Sequence, residues 1–395
     1  MNKLTHWIAG VVLFAVLALS TSVAAQESAE ELEETRKETF VMGMTGIVAS
    51  LNSGSLDLFM RAIDQDDFQD RIYALRLIDP KLKNAFAENF EFTFEQLIKT
   101  SFPGYDKNGV SATLIGVDSR GTRGRAVVRY NLPDMQFSYH DYQLRLDDDE
   151  RLVIVDWHDY VLGEEFTEHV GIALVSALPS NQAAIKLIDY KNVKSPDLFQ
   201  FREALKAARD GNLKRYADIF NNMNPELKRQ RVLVLKNVQF AKAINNRRML
   251  REALTLMNGF YPEEPLFTLM LLDYWFPTRQ YQAAYDGLWR TYRQLGFGDA
   301  AMEARLSAAA LVLERVDDAN RHAEQALEMD SEMELAWWSA LRARNTKADF
   351  AGAVEALAKL EGGFGHELGP DAFAKDKSFA PLLDSAEYKA WLETR

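Results

Sequence analysis

The sequence predicts an α+β domain, made of helices and an antiparallel sheet, followed by an all-α solenoid of helical hairpins. Apolar residues recur with helical spacing over 39–101 and again after residue 198, and four β-branched and aromatic runs lie between these regions. Near the C-terminus, a small residue recurs about every 35 positions, as in stacked hairpins. At 395 residues, with 47% hydrophobic and 26% charged, the chain has the size of about two or three globular domains.

The N-terminus has the pattern of a secretory signal peptide over residues 1–25. A short polar start precedes the apolar run 7–19, and Val23 and Ala25 fit the cleavage positions, so the mature chain is expected to begin at Gln26. The run is shorter than the roughly 20 residues of a membrane-spanning helix; an uncleaved anchor is the alternative. We therefore expect a soluble exported protein, in a bacterial periplasm or secreted, with no membrane span after cleavage.

The composition excludes several classes of protein and site. The chain has no cysteine, so disulfides, thiolate-held metals and thiol nucleophiles are ruled out. Its net charge of −12 repels nucleic acid, and the basic residues of 228–251 alternate with apolar ones, as on the wet face of helices. The six histidines are scattered and no phosphate-binding loop occurs, so neither a metal nor a cofactor is expected.

The first domain is predicted over residues 39–163. It follows a glutamate-rich segment, residues 26–38, which is expected to be a solvated acidic lead-in. Up to residue 101, apolar side chains recur at three- and four-residue steps, as on helices that bury one face. Turn signals then introduce four predicted antiparallel strands. These strands span Val110–Val117, Arg123–Tyr130, Phe137–Leu146 and Leu152–His158.

Packed helices followed by this sheet resemble the nuclear-transport-factor-2-like family. The resemblance includes a closing strand, Leu152–Tyr160, that ends near Gly163. It implies a cone-shaped domain with an apolar pocket, in which some members hold an acid–base pair. The candidates for such a pair are His140, Asp156, His158 and Asp159. An exported enzyme or small-ligand binder that uses this pocket is therefore the alternative function, and a structural hydrogen-bonded pair is the competing interpretation of these residues.

The second half of the chain is helical in its periodicity. Residues 164–197 are predicted to be linking helices, and the boundary lies near Ser195-Pro196. Residues 198–264 hold two irregular helical pairs that turn near Gly211 and Asn245-Asn246. Their spacing predicts degenerate helical hairpins.

Three more regular units follow over residues 265–367. Ala284, Ala319 and Ala353 recur at intervals of 35 and 34 residues, within the units 265–299, 300–333 and 334–367. This period and this small residue resemble the tetratricopeptide repeat, in which an alanine lets two helices cross closely. The sequence departs from that repeat at two places, because an aromatic at the fourth position survives only as Trp337 and the terminal proline is replaced.

The leading functional hypothesis is a non-catalytic interaction or scaffold protein that holds a peptide or a partner protein in the groove of its repeats. The repeat frame places ten groove residues on the first helices of the three units. They are Leu266, Leu269, Asp273, Phe276, Ala304, Ala308, Leu335, Trp338, Arg342 and Asn345. Such a lining suits an apolar partner segment better than a free C-terminal carboxylate, because Arg342 is the one cation among these ten residues. The competing interpretation is packing within the chain, and no oligomeric state is predicted.

The C-terminal segment, residues 368–395, is predicted to cap the last repeat. It is too apolar for a solvated tail, and Ser385 is a good helix start. Tyr388, Trp391 and Leu392 share one face of that helix, and we expect Trp391 to be buried against the third unit.

Overall fold

The protein is described by a computed structural model that covers residues 30–75, 83–88, 90–101, 111–177, 185, 187–188, 194–373 and 375–394. The predicted signal peptide lies outside these residues, as does most of the second linking helix. Among the described residues, no helix combines the length and apolar character needed to cross a membrane.

The chain begins with helices that pack on one face of a sheet. They are α1 (30–52), α2 (Asp57–Arg61), α3 (Gln65–Ala74), α4 (Lys83–Glu88) and α5 (Phe90–Ser101). Residues 30–38, which the sequence predicted as a frayed lead-in, are the first turns of α1. Two contacts hold them: Glu33 accepts from the backbone N–H of Gly121 at 2.9 Å, and Arg36 pairs with Glu150 at 2.8 Å. The acidic segment is therefore attached to the turns of the sheet.

The sheet has five antiparallel strands in the order β1-β2-β3-β4-β5. The strands are β1 (Ser111–Arg120), β2 (Arg123–Leu132), β3 (Gln136–Leu146), β4 (Leu152–Asp159) and β5 (Glu164–Glu165). The first four were predicted and run slightly longer than expected. The two-residue β5 was not predicted, because so short a strand has no periodicity to read.

One face of the sheet is filled with aromatic side chains from the helices. The ring of Trp157 stacks on Phe166 with centroids 4.1 Å apart and meets the edge of Phe59 at 5.5 Å. The opposite face carries Tyr139 and Tyr160, which belong to the same apolar core as the repeat helices. The sheet is therefore buried on both faces, and its second face joins the two halves of the chain.

The helices that follow β5 continue to the irregular pairs. They are α6 (Phe166–Ala177), α7 (Ser195–Arg209), α8 (Leu213–Asn221), α9 (Pro225–Lys228), α10 (Arg231–Ala243) and α11 (Arg247–Phe260). The helices that follow the predicted turns, α8 and α11, begin at Asn212 and Asn246, whose side chains accept backbone N–H groups. Side-chain capping thus places the starts of both helices at the predicted turns.

The three regular units form helical hairpins, which confirms the predicted fold class. After a 3₁₀ turn at Pro265–Phe267 come α12 (Thr268–Trp275), α13 (Tyr281–Leu295), α14 (Ala300–Val312), α15 (Val316–Met329), α16 (Glu334–Thr346) and α17 (Phe350–Phe364). Ala284, Ala319 and Ala353 are all fully buried, as are the residues four positions after each. The small side chain of alanine at positions 284, 319 and 353 lets the two helices of each hairpin approach closely.

The C-terminal segment packs on the third hairpin. It contains 3₁₀ turns at Pro370–Phe373 and Lys377–Phe379, then α18 (Ala380–Asp384) and α19 (Ala386–Glu393). Tyr388 is 1% exposed and shares an apolar cluster with Leu357 of α17. Trp391, which was expected to be the buried anchor, is only partly buried and lies against Tyr388 at 5.5 Å between ring centroids. The prediction for Trp391 was wrong because Tyr388 is the residue of this helix face that reaches the core.

Candidate functional site

A buried polar cluster attaches the sheet to the repeats. Arg129 of β2 and Tyr139 of β3 are direct cross-strand partners, and both side chains reach Asp299. The guanidinium of Arg129 pairs with one carboxylate oxygen, and the Tyr139 hydroxyl donates to the other at 2.5 Å. Asp299 also caps α14 by accepting the backbone N–H of Met302 at 3.1 Å. A helix start in the second unit is therefore bonded to the centre of the sheet.

The surroundings of Asp299 explain the state of its partners. Burial raises the pKa of the Tyr139 hydroxyl well above its ordinary value, and the neighbouring carboxylate raises it further. Tyr139 thus stays protonated and donates. Arg129 is 2% exposed and also reaches Asp330, before α16, at 3.3 Å. One arginine of the sheet therefore contacts the start of the second hairpin at Asp299 and the turn that leads to the third at Asp330.

Close packing supports the same junction at the edge strand. The backbone of β1 has a bulge between Leu114 and Gly116, and the ring of Phe297 lies directly over Gly116. A Cβ atom at that glycine would overlap the ring. Nearby, Arg125 pairs with Asp141 through two bonds of 2.7 and 2.8 Å and donates to the carbonyl of Gln294 at 2.9 Å. The position of the α13–α14 turn on the sheet is thus fixed by shape and by hydrogen bonds.

A second polar contact joins the end of the sheet to α10. Lys236 and His169 both lie 2.6 Å from one carboxylate oxygen of Glu164, which is 1% exposed. Burial by itself would raise the pKa of Glu164, but the Lys236 charge and the His169 hydrogen bond outweigh it and lower the pKa to about 2. Glu164 is therefore ionised at neutral pH and holds the two helices to β5.

An open cleft, here called the hairpin–repeat cleft, lies between the sheet and the repeats. One wall is the end of the β2–β3 hairpin and the other is α12, with a volume of about 500 Å³. It is lined by Leu132, Asp134, Gln136, Phe137, Ser138, Tyr160, Val161, Lys242, Leu269, Met270, Leu272, Asp273, Phe276, Pro277 and Arg305. Its size and its mixture of apolar and polar groups are those of ligand-binding sites.

The structure brings some of the predicted groove residues together and separates others. Leu269, Asp273 and Phe276 line the hairpin–repeat cleft, and Leu335 lines a neighbouring cleft of about 400 Å³ beside Arg129. Trp338 is partly buried, and the exposed Arg342 lies over its ring at 5.9 Å. These residues belong to, or directly follow, the first helices of the first and third units.

The remaining predicted groove residues are used for packing within the chain. Leu266 and Ala304 are buried in apolar cores, and Ala308 is half-buried. Asn345 donates to the carbonyl of Ser378 in the C-terminal segment at 2.9 Å. The alanine-rich α14 has small side chains, so the neighbouring helices approach it closely at Ala304. The competing interpretation, packing within the chain, thus describes Leu266, Ala304 and Asn345.

Three polar groups of the cleft were not anticipated from the sequence. Arg305 of α14 donates to the carbonyl of Met135 at 2.9 Å and lies over the ring of Phe137 at 5.7 Å. Burial, followed by repulsion from Arg342, lowers the pKa of its guanidinium. The sequence contained a signal for this residue, because Arg305 is a long cationic side chain in a helix that is rich in alanine.

Two further polar groups lie in the wall of the cleft. Ser138 and Tyr160 are 3% and 1% exposed. Within the described part of the chain, neither hydroxyl has a hydrogen-bond partner. Burial raises the pKa of Tyr160, so its hydroxyl remains a donor at all physiological pH values. Buried hydroxyls without a hydrogen-bond partner cost stability.

The residues proposed as an acid–base pair lie in three separate places. His140 lies 3.3 Å from Asp159 and 2.9 Å from the Tyr142 hydroxyl, buried among the rings on the helix-covered face. Asp156 instead accepts the backbone N–H of Thr167 at 3.2 Å and caps the start of α6. Its burial raises its pKa to about 6. The partly exposed His158 lies 3.6 Å from Glu165. The fourfold set is thus divided between packing and capping.

The fold and the cleft define a helical-repeat protein that carries an antiparallel-sheet domain on its first hairpins. No protein-family model matches the sequence, and no curated protein matches it. Among solved structures, the chain is similar to the crystal structure of PilW, a widely conserved type IV pilus biogenesis factor. That similarity covers 51% of this chain and 93% of PilW, with 9% sequence identity and a TM-score of 0.33.

Proposed function

We propose that this chain is an exported, non-catalytic scaffold protein that binds an extended segment of a partner protein in the hairpin–repeat cleft. The observation that supports the proposal is that Leu269, Asp273 and Phe276, which the repeat frame assigns to the groove, line one open cleft. Recognition by helical repeats uses such first-helix side chains. Export rests on the leader pattern of residues 1–25.

The sheet domain has a positioning role in this proposal. Its β2–β3 hairpin supplies the second wall of the cleft through Phe137, and Asp299 and Glu164 hold the domain in place. A wall that is already fixed loses little entropy when a segment binds. Val161 at the rim is 45% exposed and extends the apolar surface outward. The cleft thus offers apolar contact along both walls.

The test is a selection of displayed random peptides on the full-length protein. Enriched peptides are then measured against Phe276→Ala and Leu269→Ala, which remove apolar contact from one wall. We expect affinity to fall about tenfold in each, as for central contacts of an interface. Phe199→Ala is the matched control, because Phe199 is 62% exposed on α7 and does not line the cleft.

Melting curves of the variants separate lost contact from lost folding. Absence of any enriched peptide would contradict the proposal. So would peptides that bind the Phe276 and Leu269 variants as tightly as the unchanged protein.

A further inference from the structure

Arg305 is a half-buried cation without a counter-ion in the described part of the chain. Its guanidinium has five N–H donors, and its recorded hydrogen bond goes to the carbonyl of Met135. The ring of Phe137 shields one side of it. Because no ion pair engages this guanidinium among the described residues, its free N–H groups can pair with a carboxylate that enters the cleft.

The other charged groups near Arg305 indicate the same preference. Arg342 repels its positive charge, whereas Asp273 attracts it from across the cleft. Asp273 is itself engaged, since its carboxylate lies 3.5 Å from the ammonium of Lys242. Asp134 also lines the cleft. The carboxylate of Asp273 is thus shared with Lys242, and Arg305 makes no ion pair of its own among the described residues.

The other residues that line the cleft indicate which kind of partner segment supplies the negative charge. Leu269 and Phe276 offer apolar surface to a segment that enters the cleft. We infer that the hairpin–repeat cleft selects partner segments in which an acidic side chain stands among apolar ones, with its carboxylate on Arg305. This inference rests on the proposed function and names the chemistry of the partner.

A side chain fits better than a chain terminus as the source of the carboxylate. Arg342 lies over Trp338, away from the cleft lining, and Lys242 is paired with Asp273. The planar fork of Arg305 matches a single carboxylate in a two-bond arrangement. Apolar residues on both sides of an internal acid can then contact the two walls at the same time.

The experiment compares two selections from a random-peptide library whose members are fused through their C-termini, so that only side chains supply carboxylates. One selection uses the full-length protein and the other uses Arg305→Gln. We expect peptides with an acid among apolar residues from the first, and apolar peptides without a preferred acid from the second. Arg248→Gln is the matched control, because the side chain of Arg248 is 90% exposed.

Selected peptides are then synthesised with an amidated C-terminus, together with analogues in which the acid is replaced by its amide. The replacement is expected to weaken binding to the unchanged protein about tenfold, the value of one charge-assisted hydrogen bond, and to leave binding to Arg305→Gln unaltered. Equal affinity of acid and amide for the unchanged protein overturns this inference and leaves the proposed function standing. A selection that enriches no peptide overturns both.

A second variant keeps the inference testable if Arg305→Gln disturbs the hairpin. Asp273→Asn removes a negative charge that attracts Arg305 and repels an incoming acid. The acidic peptide is expected to bind this variant more tightly, and its amide analogue is expected to bind it unchanged. Unaltered binding of both peptides overturns the role of charge in the cleft.

Discussion

Arg129 and Asp299 form a buried ion pair that joins the middle of the sheet to the first turn of a repeat helix. The side chains are 2% and 0% exposed, so the pair is held away from water. Tyr139 and the backbone of Met302 satisfy the remaining capacity of the carboxylate. Removing one partner of such a pair leaves an uncompensated charge, which makes this contact the most sensitive point of the junction.

Asp299→Asn is expected to destabilise the protein by about 3–5 kcal/mol, because Arg129 would stay buried without the negative charge of Asp299. The measurement is the free energy of unfolding in urea. Asp330→Asn is the control: that side chain is 33% exposed, and its loss is expected to cost about 1 kcal/mol or less. Equal effects of the two substitutions would contradict the assignment of Asp299 as the central acceptor.

Gly116→Ala is expected to destabilise the protein by about 1–3 kcal/mol, because the new methyl group overlaps the ring of Phe297. Adding Phe297→Ala should recover part of the loss, which a double-mutant cycle measures. Gly259→Ala on α11 is the matched control, since a Cβ there meets nothing within 4 Å. That control should be neutral or stabilising by up to about 1 kcal/mol.

Glu164 makes stability depend on pH in the acid range. Its folded pKa of about 2 lies below its ordinary value of 4.5, so the folded state binds fewer protons there than the unfolded state. Its contribution is therefore fully present above pH 4.5 and is lost as the pH falls toward 2. Unfolding free energies measured across this range should show a slope that is reduced in Glu164→Gln. An unchanged slope in that variant would exclude Glu164 as its source.

Ala353→Arg is expected to disrupt the third hairpin, because position 353 is fully buried where α16 and α17 cross. Overpacking costs about 1–3 kcal/mol, and an unpaired buried charge adds to that. Ala351→Arg, on the exposed side of the same helix, is the control. Melting temperatures should separate the two variants clearly. Similar melting of both would mean that the repeat frame is displaced.

The two aromatic residues of α19 provide a direct comparison. Tyr388→Ala should cost about 3–5 kcal/mol, since Tyr388 is buried in the cluster that covers α17. Trp391→Ala should cost less, although tryptophan is the larger residue, because Trp391 is only partly buried. Denaturant unfolding of both variants shows which substitution lowers the free energy of unfolding more. The reverse order would restore Trp391 as the anchor of this helix.

Elements with strong periodicity were predictable from the sequence. The four strands of the sheet and the alanine positions 284, 319 and 353 follow from local spacing alone, because side-chain alternation and helix crossing impose it. β5 was missed because two residues carry no period. The helical state of residues 30–38 was missed because it depends on contacts of Glu33 and Arg36 with turns far along the chain.

The site was predictable only in part. The repeat frame assigned Leu269, Asp273 and Phe276 to a groove; these residues line the hairpin–repeat cleft, and their role in binding stays a prediction. Arg305 was missed because its importance depends on the β2–β3 hairpin that lies against it. Nothing in the local spacing shows which face of a sheet will meet the repeats. Contacts between distant segments therefore decide both the second wall of the cleft and its charge.

The double contact of Arg129 has a consequence for the length of the solenoid. Its guanidinium meets Asp299, the residue that caps the start of α14, and Asp330, which lies in the turn between α15 and α16. Tandem arrays ordinarily tolerate the gain or loss of a unit, because each unit touches only its neighbours. Here a unit inserted between these two aspartates would carry one of them away from the arginine. The sheet therefore fixes both the number of units between these two aspartates and the position of those units along the solenoid.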